Sequence, residues 1–111
     1  MAEAALNYIE KRIFRRLNTE VPVDLEIGSQ TLKACTSNIS CGGLFLKVDP
    51  TKVPCQNSKL NLAIYLPNRK NPVKLVGEVR RSESQGVAFE FQGLYNDNIL
   101  AIERFVKSNL N

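Results

Sequence analysis

The chain has no histidine and only three cysteines, Cys35, Cys41 and Cys55, among its 111 residues. Without histidine, the commonest general base and the usual partner of a nucleophilic serine or cysteine are missing. The sequence reads as that of a non-enzyme. An odd cysteine count with no Cys-x-x-Cys pair withdraws support from a zinc framework and from a disulfide staple alike, so no metal and no cofactor is expected. Cys35 and Cys41 read as reduced packing residues. Low-complexity tracts, repeats of solenoid length and a Pro/Gly/Ser-rich linker are also lacking, which predicts a single domain over residues 1–111. No apolar run approaches a membrane span, and the start, Met1-Ala2-Glu3-Ala4-Ala5-Leu6, has no basic region leading into an apolar stretch. No signal peptide, no membrane insertion and a cytoplasmic location are the expectations.

Charge is present, and it is localised. The formal net charge is +4, from 15 Lys and Arg against 11 Asp and Glu. Lys11, Arg12, Arg15 and Arg16 fall within six residues that hold no acid, so the whole excess can be assigned to that segment. A local anion site accounts for this better than a general basic face, and DNA or RNA, which needs a stripe of cations, is not expected as a partner. The bland reading of the same run is a solvated charged face.

A second concentration of polar chemistry lies at Asn38-Ile39-Ser40-Cys41-Gly42-Gly43, between two runs that read as strands. Asn38 can donate and accept, Ser40 can do both from one atom, and the glycines allow close backbone approach and φ angles closed to other residues. The set suits the edge of a nucleobase. Arginines at the density of residues 11–16 commonly meet phosphates and guanine edges, so the two stretches are read as halves of one site.

The periodicity around them is mostly two. Val21, Val23, Leu25 and Ile27 alternate with acids; Gly28-Ser29 makes a hairpin; Thr31 to Thr36 returns with Leu32 and Ala34 inward. Asn38–Gly43 is then expected to interrupt the ladder before a strand of Leu44, Leu46 and Val48. Further strands follow at Leu60–Leu66, at Val73–Arg81, where Gly77 is read as a bulge or bend, and at Gly86–Phe91 after a Ser82–Gln85 turn. Phe89 and Phe91 fall on the inward phase, and Phe105 beside the apolar stripe of the last helix. Six short strands joined by tight turns predict a mainly β protein, a six-stranded antiparallel barrel over residues 20–92. The period becomes helical at both ends. Leu6, Ile9, Ile13 and Leu17 predict a short amphipathic helix within residues 3–17, or a flexible arginine-bearing segment over 1–19. Tyr95, Ile99, Ile102 and Val106 predict a C-terminal α-helix over 95–109 that covers one barrel opening, capped by Asn96 or Asp97.

Over residues 11 to 107 the chain resembles the PilZ family of bacterial cyclic di-GMP receptors. The family's Arg-x-x-x-Arg signature is similar to Arg12-Ile13-Phe14-Arg15-Arg16, and its Asp/Asn-x-Ser-x-x-Gly signature to Asn38-Ile39-Ser40-Cys41-Gly42-Gly43. A weaker Gly-x-Gly/Ala-x-x-Phe feature resembles Gly86-Val87-Ala88-Phe89-Glu90-Phe91. Many members carry a second arginine directly after the first, where this chain has Ile13. The resemblance implies a ligand, cyclic di-GMP, laid across the outer surface of the barrel with the arginine segment wrapping over it. Arg12 and Arg16 would fork onto guanine O6 and N7 and the diester oxygens, Asn38 and Ser40 would read a guanine edge, and Gly43 would let the chain turn beneath it. Lys11, Arg15, Gly42 and Gly86 are auxiliary candidates.

The resulting expectation is a receptor whose arginine segment closes on cyclic di-GMP and whose changed surface is read by a downstream protein. Its rival is a constitutive protein-interaction adaptor that does not bind the nucleotide. A single-strand RNA-binding barrel would need exposed aromatics on its strands, and those present read as buried.

Overall fold

The computed structural model describes residues 15–93 and 97–110. The expected alternation becomes six strands: β1 (Pro22–Ile27), β2 (Gln30–Ile39), β3 (Gly43–Lys47), β4 (Lys59–Ile64), β5 (Val73–Glu83) and β6 (Gly86–Phe91). All pairings are antiparallel, and the sheet closes as β1-β2-β3-β6-β5-β4. Closure leaves no exposed edge. One residue in two points inward: Val23 and Leu25, Leu44 and Leu46, Val73, Leu75 and Val79, Val87, Phe89 and Phe91 are all buried. Each such side chain contributes about 1.5–3 kcal/mol of apolar burial.

Gly28 opens the first hairpin with φ of +61°, a value glycine adopts without penalty, and a 3₁₀ turn at Pro50–Lys52 follows β3. That turn is capped by Asp49, whose carboxylate accepts from the Thr51 backbone N–H at 3.0 Å. The C-terminal helix α1 (Asp97–Asn109) sends Ile99, Ile102 and Val106 into the same apolar cluster as the strands. Asn98 ties its first turn to β5, donating from Nδ2 to the Lys74 carbonyl at 2.7 Å. The helix therefore sits at the end of the barrel where β5 begins and β2 ends.

Several local expectations are corrected. Residues 15–17 are not helical: Leu17 pairs with Ile39, its N–H donating to the Ile39 carbonyl at 2.8 Å and its own carbonyl accepting from the Ile39 N–H at 3.0 Å. The rest of the expected N-terminal helix lies outside the described residues. β2 does not stop before Asn38 but runs on through Ile39, and β5 runs on to Glu83, past the expected start of its turn. Gly77 is not at a bulge. It faces inward, where a Cβ would meet Leu62 Cδ1 at 2.8 Å and Phe89 Cδ2 at 3.2 Å, so the core side chains fill the space a larger residue would need.

The ladder does break in two other places. Ser37 is an extra residue in β2, between Thr36, opposite Leu46, and Asn38, opposite Phe45. Arg80 is an extra residue in β5, between Val79, opposite Phe89, and Arg81, opposite Ala88. An inserted residue reverses the side-chain phase after it. Leu32, Ala34 and Thr36 face inward before Ser37; after it Ile39 is buried and Asn38 faces out.

A candidate ligand groove on the outer face

The bulge at Ser37 decides what Asn38 can do. Turned outward, its Oδ1 accepts from Arg16 Nη1 at 2.8 Å. Arginine has no acceptor, so the amide oxygen must be the atom facing it, and the two amide N–H donors of Asn38 are directed elsewhere. Arg16 itself is held in register by the Leu17–Ile39 bridge. The residues that follow are pinned by Thr36, fully buried, whose Oγ1 donates to the Thr19 carbonyl at 2.6 Å and accepts from the Val21 N–H at 2.9 Å.

Beyond Ile39 the chain turns tightly. The Ser40 N–H donates to the Gly43 carbonyl at 2.8 Å, and the buried Ser40 hydroxyl accepts from the Gly42 N–H at 3.1 Å while donating to the Gly43 carbonyl at 3.3 Å. Ser40 thus shapes the turn from inside it. The turn is fastened to β6 through the Phe91 N–H, which donates to the Gly42 carbonyl at 2.8 Å. Neither Gly42 nor Gly43 has a positive φ, against the expectation that these glycines supply an otherwise closed conformation. Gly43 is needed for proximity: a Cβ there would stand 2.2 Å from the Phe89 carbonyl oxygen. Cys41, buried in the same turn beneath the helix, has its thiol pushed up to about 11 by burial and then by the Glu103 carboxylate, which keeps it neutral and inert as a nucleophile.

A groove of about 640 Å³ runs from this turn across the outer face of β3 and β6 to β5. It is lined by Arg16, Ser40, Gly42 and Gly43 on one side and by Arg80, Arg81, Glu90 and Gln92 on the other. Guanidinium groups therefore stand at both margins, the arrangement that suits a flat, anionic, hydrogen-bonding ligand. Of the residues singled out in the sequence, Arg16, Ser40, Gly42 and Gly43 line this groove, and Asn38 is joined to it through its hydrogen bond with Arg16. Arg15 is exposed beside them. Arg12 and Lys11 lie outside the described residues. Gly86 is not brought to the groove: it begins β6 at the far end of the strand, where a Cβ would stand 2.1 Å from the Leu46 carbonyl oxygen, and its role there is close packing. Phe89 and Phe91 are buried, so no aromatic platform for base stacking comes from the interior phase of β6.

Arg80 and Arg81 were not singled out from the sequence. The available signal was two successive cations in a strand that otherwise alternates, a pattern that would bury one of them unless an extra residue turned it outward. Among the described residues there is no cluster of His, Cys, Asp and Glu fit to hold a metal ion, and no helix long and apolar enough to cross a membrane.

A small closed β-barrel with an arginine–asparagine pair and a Ser-x-x-Gly turn beside an outer-face groove is the class defined by these observations. The sequence profile of the PilZ domain matches residues 10–108, and the chain belongs to that family, a family of cyclic di-GMP receptors. Among solved structures it is similar to the Bacillus subtilis inhibitor of motility MotI/DgrA, with a TM-score of 0.73 and 17% identity over 86% of this chain. The match covers 48% of that protein, so the chain spans about half its length. It is similar also to the PilZ domain of CeSA from a cellulose-synthesizing bacterium, with a TM-score of 0.69 and 17% identity over 85% of this chain and 96% of that one. An uncharacterized Legionella protein matches with a TM-score of 0.56 and 19% identity over 86% and 92% of the two chains. At these identities the likeness is one of fold. No curated protein matches the chain in sequence.

Proposed function

We propose that this chain is a cyclic di-GMP receptor that signals through a partner protein. The observation that carries the reading is the Arg16–Asn38 hydrogen bond at the mouth of the groove, because it joins one residue from each family signature into a single recognition unit. Arg16 retains donors for a diester oxygen or for guanine O6 and N7, while the Asn38 amide N–H groups offer further donors to the same base edge. Arg12, the first arginine of the signature, would supply the clamp with a second guanidinium. The segment carrying the arginines is the element whose conformation the ligand biases, and a ligand shifts such an equilibrium only by its differential affinity for the two states. Motility, after the B. subtilis inhibitor of motility, is the output to test first.

Isothermal titration of cyclic di-GMP into the protein, with GTP as control and Arg16→Ala alongside, tests the reading. Binding that GTP does not reproduce and that Arg16→Ala weakens roughly ten- to a hundred-fold, the equivalent of about 1.5–3 kcal/mol for a charge-assisted contact, is the expected outcome. Absence of heat and of any thermal shift at saturating cyclic di-GMP sinks it and leaves the adaptor reading, with a pull-down for the partner as the next step.

A further inference from the structure

We infer that Arg80 is a further ligand-binding residue of this groove, gripping a phosphodiester oxygen from the side opposite Arg16; the inference rests on the cyclic di-GMP reading above. The bulge is the first observation. In β5 the inward positions are Val73, Leu75, Gly77 and Val79, so regular alternation would make Arg80 outward and Arg81 inward. The inserted Arg80 turns both arginines out, and both line the groove. Bulges are commonly used to re-aim a side chain beside a functional site.

The second observation is how loosely Arg80 is held. Glu78 and Glu90 stand directly opposite each other across β5 and β6, a like-charged pair that costs stability. Arg80 Nη1 lies 3.5 Å from Glu78 Oε2 and 3.7 Å from Glu90 Oε1, and its side chain is 52% exposed. Long, exposed contacts of this kind contribute little. A diester oxyanion in the groove would offer a charge-assisted bond of about 2.7–2.9 Å, and two such bonds to a guanidinium fork. Arg81 is the poorer candidate, because its Nε is already engaged with Glu83 Oε2 at 2.5 Å.

When Arg80 transfers to the ligand, the two carboxylates are left unequally supplied. Glu78 keeps the Gln92 Nε2 donor at 3.2 Å, whereas Glu90 lines the groove itself and faces the incoming anion. Glu90 therefore opposes binding, both by repulsion and by competing for Arg80. Asn38 on β2 and Arg80 on β5 are three strand spacings apart, roughly 14 Å along the curved surface, so the two margins suit a ligand with anionic groups at separated positions.

The test is calorimetric titration of cyclic di-GMP into the whole chain in four forms: wild type, Arg80→Gln, Glu90→Gln and the double variant. Arg80→Gln is expected to weaken binding about ten-fold or more, and Glu90→Gln to tighten it several-fold. The double variant separates a ligand contact from a structural role, since it also removes the carboxylate that Arg80 neutralises and so protects against simple misfolding. Binding in the double variant that is weaker than in Glu90→Gln alone supports the inference, since both forms lack the Glu90 carboxylate and differ only at Arg80. Equal affinity in those two forms, or an unchanged affinity in Arg80→Gln, overturns it while leaving the receptor reading intact. No binding by the wild type overturns both.

Discussion

A methyl group at position 43 would stand 2.2 Å from the Phe89 carbonyl oxygen and 3.2 Å from the Glu90 Cα, and neither backbone atom can step aside without opening the β3–β6 ladder. Gly43→Ala is therefore expected to destabilise the protein by about 1–3 kcal/mol, the usual cost of overpacking, or a fall in midpoint of roughly 4–8 °C for each kcal/mol in a domain near this size. Gly28 is the internal comparison. Nothing lies within 4 Å of its missing Cβ, and only its φ of +61° resists substitution, so Gly28→Ala should cost less. Thermal unfolding of the two variants side by side decides the matter; a Gly43→Ala protein as stable as wild type would mean that the turn does not need this approach. The position of this glycine was legible in the sequence as part of a motif, but its reason was not. A pattern of residue types shows that a side chain is absent without showing which backbone passes through the space it would have filled.

At the scale of elements, what alternation shows and what it hides follow from the same rule. The strands whose phase never changes, β1, β3, β4 and β6, are readable because their inward apolar side chains recur at every second position, although Ala63 in β4 is buried out of phase as well. The two strands that shift phase hide the shift: alternation alone ends β2 short of Asn38, and in β5 it points to a bulge or bend at Gly77 where the extra residue is Arg80. A single extra residue leaves no compositional mark, and both extra residues sit where they turn a polar side chain toward the groove. The Ser37 bulge also explains why Asn38 reads as a turn residue in sequence though it lies in a strand. Thr36, immediately before it, anchors the segment that carries Arg16 by bonding the Thr19 carbonyl and the Val21 N–H from a fully buried position. Thr36→Val keeps the shape and removes both bonds, leaving a backbone donor and acceptor without this partner. The expected cost is about 1–3 kcal/mol in stability. Cyclic di-GMP affinity should fall with it, since Arg16 loses the register on which its contact with Asn38 depends. Denaturant unfolding and ligand titration of the same variant check the two halves, and a variant that loses stability while binding as tightly as wild type would sever the anchor from the site.

Considered as one molecule, the barrel gathers its candidate site from parts of the chain that only closure brings together: the segment before β1, the β2–β3 turn, β5 and β6. Pairing of β1 with both β2 and β4 completes the ring, and the helix seats Ile99, Ile102 and Val106 in the cluster at the end that also carries the Ser40–Gly43 turn. Arg16, Asn38 and the turn cannot keep their geometry if the ladder opens, so a ligand held by them binds the closed barrel and not the unfolded chain. Linkage then fixes the size of the effect: at a free ligand concentration a hundred times its dissociation constant, stabilisation is about 2.7 kcal/mol. For a chain of this length that corresponds to a rise in midpoint on the order of 10 °C. Thermal unfolding in a cyclic di-GMP series should show one transition moving upward with the logarithm of ligand concentration, with Arg16→Ala displaced to higher ligand by its loss in affinity. A transition that splits in two, with only the later part moving, would mean that the groove belongs to a subset of the structure able to persist while the rest unfolds, and the closed ring would then not be the unit that the ligand holds together.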